Sequence, residues 1–432
     1  MGTTRIAIGG SRARGKRLVT MLAAGTLLAA TSVACEQKSG TDSGAKASNK
    51  PIVVGSTLSL SGAFAATGAI HKIAGQEFVD RLNKNGGLLG RQVKWLVRDD
   101  ESDQAKVSQL YEQLITQDKV DLIIGPYATP NILSAMAVAA RHGYTMPQHT
   151  AVIAPLMTYN CQFPAWSIGP KPNEYVPNQL LDAVASMPDP PKRVAILTNQ
   201  NGSTDFVSYG SGSDKTGMVS IAKQRGLNIV LEQKYLPTTA NWAPVATRVR
   251  DAKPDLVIND GLGVDPVGLL QAMKQLKYQP PLMFSLFPAP GPLLGLGDTS
   301  DGLLSVTIFE PNQPTLAKLG PTATAIVNDF KTRATQAKLP YPVFETQAAA
   351  SWNAWEILAD GVKSAGNLDQ KAICDALHAK GADTTFSGHL TFDPKDHNFW
   401  PTTLAIKQIQ NHDWVTVWPA DRAAAKLRSP AS

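Results

Sequence analysis

Three cysteines stand in 432 residues, and no two of them form a Cys-x-x-Cys pair. The usual ligand set of a structural zinc site is therefore missing. The seven histidines do not cluster at metal-ligand spacing. His142 and His149 come nearest, and no carboxylate follows them at a useful interval. Phosphate-binding glycines are missing too. Residues 210–217 read GSGSDKTG, with Asp214 where a phosphate loop needs glycine. Gly291, Gly295 and Gly297 do not join a strand to a helix. The acidic run 99–103 lacks the loop glycine and terminal glutamate of a calcium site. It reads instead as a solvated strand end with an acid capping the next helix. No nucleophile elbow, heptad array or long-period repeat is visible. These gaps leave no cofactor, metal or catalytic residue to nominate, although a triad assembled from distant residues would leave no such trace.

The composition is that of an ordinary globular chain, 43% hydrophobic and 18% charged, long enough for two domains with real cores. The formal net charge is +6, but Arg5, Arg12, Arg14, Lys16 and Arg17 fall in the first 34 residues, which hold no acid. The remainder has 36 basic and 35 acidic side chains. A nearly neutral body removes the electrostatic case for a nucleic-acid partner. An uncharged run over 18–34 follows the basic start, so residues 1–34 read as an export signal. An uncleaved membrane helix is the alternative, because the run sits at the lower edge of the roughly 17–25 residues that span a bilayer. No Arg-Arg pair precedes the run, which leaves twin-arginine export unsupported. Ser32-Val33-Ala34-Cys35 resembles a bacterial lipobox, in which Cys35 is acylated and becomes the new N-terminus. Ser32 departs from the larger aliphatic usual at its position. The stretch 35–50, rich in Ser, Gly and Lys, reads as a flexible tether. In an oxidising compartment Cys161 and Cys374 are either bonded or free.

From Pro51 the chain alternates strands and helices. Strands are expected over 52–58, 93–97, 120–124 and 144–146. Helices carry apolar stripes at Ile70, Ile73, Ala74, Phe78 and Leu82, then at Val107, Leu110, Tyr111 and Leu114, and a third covers 132–141. Strand–helix–strand units of this kind need right-handed crossovers and give a parallel sheet. The pattern restarts near 166–170, with strands over 193–198, 229–235, 255–258 and 282–285 between helices. Beyond Pro288 come a Gly/Pro/Leu loop over 291–302, a strand over 303–309 and helices over 322–337, 346–363 and 369–378. The tail is β-like over 388–392, 403–410 and 414–418. Two successive αβ series suggest two doubly wound lobes.

Ligands of such sheets gather at the carboxyl ends of the strands, and Gly125–Pro130 lies at one of them. Thr129 suits a helix N-cap and Pro130 a first turn. The exposed N–H groups there form a site for a carboxylate, or Thr129 merely caps its helix. Asp265 opens another helix after the 255–258 strand. It pairs with a ligand ammonium, or it is a second cap.

Several motifs together resemble the type I periplasmic solute-binding proteins of ABC importers, in the leucine/isoleucine/valine-binding (branched-chain amino acid) family. They are Leu60-Ser61-Gly62, the run of Asn83, Gly86, Gly87 and Gly90, the acids Asp99, Asp100 and Asp103, and Gly125-Pro126. Lys234-Tyr235, Trp242-Ala243-Pro244, residues 388–394 and Val417-Trp418-Pro419 continue the likeness. The resemblance implies an α/β fold of two doubly wound αβ lobes joined by a three-strand hinge. Lobe 1 would comprise 51–169 and 287–387, and lobe 2 would comprise 170–286 and 388–432. On that division Cys161 and Cys374 share a lobe, which keeps their pairing open.

The resemblance also implies a site. Tyr127, Ala128 and Thr129 would meet a ligand carboxylate, helped by a second loop at Thr150, Ala151 and Val152. Phe206 would supply an aromatic wall with Phe64 and Tyr127, and Asp265 would grip an α-ammonium. Ala128 stands where serine is common and Val152 where threonine is, which weakens the usual amino-acid grip. The expected ligand is therefore a small carboxylate: branched-chain amino acid-like, an amide or an aromatic acid. The implied role is an exported, lipid-anchored, monomeric solute-binding protein. It would close about its hinge and deliver ligand to an ABC permease. It would use no cofactor and no nucleic acid, touch the membrane only through its N-terminal anchor, and do no chemistry on the ligand. The alternative is a ligand-sensing receptor or regulatory domain of the same fold, which an attached signalling domain would mark.

Overall fold

The computed structural model describes residues 50–149, 151–211, 215–400 and 404–429. The expected export signal, Cys35 and all but the last residue of the tether lie outside them.

The first sheet is small and wholly parallel. Strand β1 (Ile52–Leu58) leads through α1 (Ala65–Lys84) to β2 (Val93–Asp99), and α2 (Gln104–Thr116) leads to β3 (Leu122–Ile123). The order is β2-β1-β3. β1 is almost entirely buried because helices cover both faces, which is why its sequence is a near-continuous apolar run. After α3 (Thr129–His142), β4 (Met146–Gln148) and β5 (Gln162–Pro164) pair in parallel with each other.

The acidic run at the end of β2 departs from expectation. Asp103 does cap α2, accepting from the N–H groups of Ala105 and Lys106. Asp100, however, is fully buried and not solvated. It accepts hydrogen bonds from Thr57 Oγ1 (2.8 Å) and Ser59 Oγ (2.6 Å). Asp99 accepts from Leu60 N (2.9 Å) and Ser61 Oγ (2.8 Å). Burial works to raise the Asp99 carboxyl, but hydrogen bonds from Glu101, Ser61 and Leu60 hold it below the usual carboxylate range. Asp99 staples Leu60 and Ser61 to the end of β2, and Asp100 secures Ser59 just before them, which together fix where Phe64 stands.

The second series runs α4 (Pro172–Ala185), β6 (Arg193–Asn199), α5 (Gly202–Tyr209), α6 (Gly217–Gln224), β7 (Asn228–Tyr235), α7 (Ala243–Ala252), β8 (Leu256–Gly263), α8 (Asp265–Gln275) and β9 (Leu282–Pro288). Short α9 (Pro290–Leu294) precedes β10 (Leu304–Thr307), and three helices follow: α10 (Gln313–Gln336), α11 (Thr346–Ala365) and α12 (Gln370–Lys380). The hairpin β11 (Ala382–Thr384) and β12 (Gly388–Leu390) then leads to β13 (Ala405–Gln410) and β14 (Asp413–Trp418). The seven-stranded order is β14-β13-β10-β9-β8-β6-β7. Helix α11 packs on α1, with Phe78 against Trp352 and Trp355.

The chain thus passes between the two sheets after β5, after β10 and after β12. The second passage follows β10 rather than residue 287, because Leu304–Thr307 is held between β9 and β13. A buried ionic cluster sits at this passage. Lys407 Nζ on β13 lies 2.6 Å from Glu310 Oε1 and 3.9 Å from Glu345 Oε2, at the N-cap of α11. Burial pushes the Glu345 carboxyl up to about 7 against the pull of Lys407.

Cys161 and Cys374 form a disulfide across 213 residues of sequence, tying the β4–β5 pair to α12. Replacing both with serine is expected to lower unfolding free energy by about 2–4 kcal/mol, read from urea titrations.

Candidate ligand-binding site

The ends of several strands and the loops that follow them build a cavity. Beyond β3, Gly125 packs so tightly that a Cβ there would sit 2.7 Å from Gln148 Cβ. The chain then turns through Tyr127 and Ala128 into α3. Ala128 has φ 72° and ψ 137°, a region that costs a non-glycine residue about 1–3 kcal/mol. Thr129 is the first residue of α3 and not its cap; no side chain caps this helix. The Thr129 hydroxyl instead accepts from the N–H of Val152 (2.9 Å), tying the second loop to the first. The start of α3 is thus left without a side-chain acceptor for its first N–H groups.

Across the cavity stands the start of α5, where Asn201 Oδ1 accepts from Ser203 N (3.0 Å). The register of β8 against β9 shifts between Asn259 and Leu262, a bulge that brings Leu262 to the wall. Phe64 meets Tyr127 edge-on at 5.7 Å, and Trp166 meets Phe287 edge-on at 5.6 Å. Val152, Ile168 and Gln347 complete the enclosure around about 530 Å³ of space, part of it open to solvent. Among the described residues on this wall none is an acid or a base. Burial pushes the Tyr127 phenol up to about 12, so it stays neutral. Trp166 Nε1 and Gln347 Oε1 are buried without a hydrogen-bond partner.

Beneath Tyr127 lie two buried imidazoles. The rings of His71 and His149 are 4.2 Å apart, and His71 is 5.2 Å from Tyr127. Burial lowers His149 to about 4, against the raising effect of the Pro126 and Gly125 backbone. Burial and the neighbouring His149 hold His71 well below its ordinary value, with Gln347 opposing them. Both stay uncharged at neutral pH.

Phe64, Tyr127, Ala128, Thr129 and Ala151 therefore share one cavity. Thr150 lies outside the described residues. Phe206 is buried within α5 and is not on the wall. Asp265 is also off the wall: its Oδ2 accepts from Asn199 Nδ2 (2.6 Å), Tyr235 Oη (2.9 Å) and Leu262 N (3.2 Å). Burial raises its carboxyl, and those three donors work against the rise. Gly261 is required beside this cluster, since a Cβ would fall 2.4 Å from Tyr235 Oη. Trp166, Asn201, Leu262, Phe287 and Gln347 escaped sequence reasoning. Only Asn201-Gly202-Ser203 carried a local signal, as a helix start.

The sequence model of the periplasmic binding protein family matches residues 51–413. The chain belongs to that family. It is 20% identical over 343 residues to the leucine-, isoleucine-, valine-, threonine- and alanine-binding protein of Pseudomonas aeruginosa, covering 78% of this chain and 84% of that one. Its fold resembles LivJ of Streptococcus pneumoniae, a branched-chain amino acid transporter substrate-binding protein solved with isoleucine. The TM-score is 0.66 at 19% identity, over 86% of this chain and 100% of that one. It also resembles an ABC transporter solute-binding protein of Rhodopseudomonas palustris solved with 3,4-dihydroxybenzoic acid. There the TM-score is 0.67 at 17% identity, over 83% and 93% of the two chains. The expected family and the two-lobed α/β fold are both borne out. Periplasmic binding proteins act outside the cytoplasm, and among the described residues no helix is long and apolar enough to cross a membrane.

Two predictions follow from the geometry. Ala128→Gly relieves the positive φ and is expected to stabilise the ligand-free protein by about 1 kcal/mol in chemical denaturation, after the entropic cost of glycine. Asp260, within β8, is pushed up to about 7 by burial, with Ser208 opposing. A raised carboxyl contributes its stability fully below the ordinary value and loses it as pH rises through about 7. Asp260→Asn should therefore flatten the fall in stability between about pH 4 and 7 in a series of urea titrations.

Proposed function

We propose that this protein is the extracytoplasmic solute-binding component of an ABC importer. It captures a small carboxylate-bearing ligand between its lobes: branched-chain amino acid-like, an amide or an aromatic acid. The observation that carries the reading is the largely apolar cavity lined from both lobes, with the uncapped start of α3 on one side and α5 on the other. The relatives named above, with isoleucine or a dihydroxybenzoate bound, support the ligand class. The carboxylate meets the N–H groups at the start of α3, where the helix dipole favours an anion. Ile168, Leu262 and the aromatic rings face the apolar part. The lobes rotate about the three chain passages, bury the ligand, and the closed form docks on the permease. Lipid attachment at Cys35 keeps the protein beside that permease, as a monomer.

Thermal-shift screening of the full chain in its exported form against small carboxylates tests capture. A true ligand at 100 times its dissociation constant stabilises by about 2.7 kcal/mol. Thr129→Val is expected to weaken such a ligand about tenfold in calorimetry, through the disturbed start of α3. Small-angle scattering should show a smaller radius of gyration with ligand; an unchanged radius at saturation would rule out closure.

A further inference from the structure

We infer that the cavity is built for a small aromatic monocarboxylate carrying no α-ammonium. This deepens the solute-binding reading and rests on it. The described wall contains no acid. The carboxylate best placed by sequence to grip an ammonium, Asp265, lies off that wall with one oxygen committed to three donors. An ammonium moved from water into this space leaves its charge uncompensated, because a buried charge needs a paired partner. The two imidazoles beneath Tyr127 are neutral and bring no negative charge either.

The same wall suits an aromatic anion. Four rings surround the space from both lobes: Phe64 and Tyr127, Trp166 and Phe287. Their edge-on pairs leave faces and edges for a flat ring to pack against. The uncapped start of α3 receives the carboxylate. An independent observation points to a ligand oxygen. Trp166, 4% exposed, keeps its Nε1 donor buried with no protein partner. Buried donors are almost always satisfied. The Nε1 groups of Trp352, Trp355 and Trp414 are also without a protein partner. Only Trp166 lines the cavity, however, and a ring hydroxyl on a ligand seated by closure would accept from it.

The test is calorimetry on the full chain in its exported form, with ligand pairs that differ only in the ammonium. These are 3-phenylpropionate against phenylalanine and 4-methylpentanoate against leucine, alongside benzoate and 4-hydroxybenzoate. Each acid without an ammonium should bind at least about tenfold tighter than its amino acid, and the aromatic acids tighter than 4-methylpentanoate. Trp166→Phe should weaken 4-hydroxybenzoate about tenfold more than it weakens benzoate. Asp265→Asn, whatever it does to the wall through Leu262, should change the ratio between each acid and its amino acid by no more than about twofold. The wild-type pairs decide the matter even where a variant misfolds. Tighter binding of leucine or phenylalanine than of their deamino partners overturns the inference and leaves the solute-binding reading standing. Tighter binding of 4-methylpentanoate than of every aromatic acid overturns the aromatic class. Binding of no carboxylate in either series overturns both readings together.

Discussion

Parallel strand pairing is the constraint on which this structure depends. In a parallel pair every strand ends on the same edge, so the loops that follow gather there. β1, β2 and β3 do this in the smaller sheet, and β6, β7, β8 and β9 in the larger one. The residues around the cavity come from the loops after β1, β3, β4 and β6, from the last residues of β8 and β9, and from the stretches near the lobe passages. A chain threaded this way assembles a site from segments far apart in sequence without dedicating any one element to it.

Loops held only by their own backbones would not keep a cavity open, and here polar side chains hold them. Asp99 and Asp100 fasten the loop carrying Phe64. The Thr129 hydroxyl fastens the loop carrying Val152. Asp265 draws together Asn199, Tyr235 and the Leu262 backbone. In each case the charged or polar group works on the scaffold and the cavity wall stays uncharged. Hydrogen bonds to ionised groups are the stronger kind, so the arrangement fixes the walls firmly. At the passage after β10, Lys407 shared between Glu310 and Glu345 does the same for the connection between lobes.

Helices and buried strands were legible because their apolar residues recur with the period of the element. α2, α11 and α12 and the strands of both sheets fall close to where that periodicity puts them. Several short elements were not legible. β5, β11 and α9 span 3, 3 and 5 residues, too few to show any period. The loop over 291–302 accordingly contains a helical turn that its glycines and prolines conceal. Local chemistry misled at Thr129, which has the right residue type for a cap but stands one position inside the helix.

The sequence by itself determined the alternation of elements, the two αβ series, the family, and the grouping of Phe64, Tyr127, Ala128 and Thr129 that the cavity shares. Each of these is written in neighbouring residues or in a contiguous motif. Only the tertiary structure decided that Asp99, Asp100 and Asp265 are committed to donors of the protein itself. It also brought Trp166, Phe287, Leu262 and Gln347 to one wall, and gave β10 to the larger sheet. The reason is physical. A carboxylate is read the same way in sequence whether its partners are a ligand or the N–H groups of a distant loop, and those partners exist only once separate strands have been laid side by side.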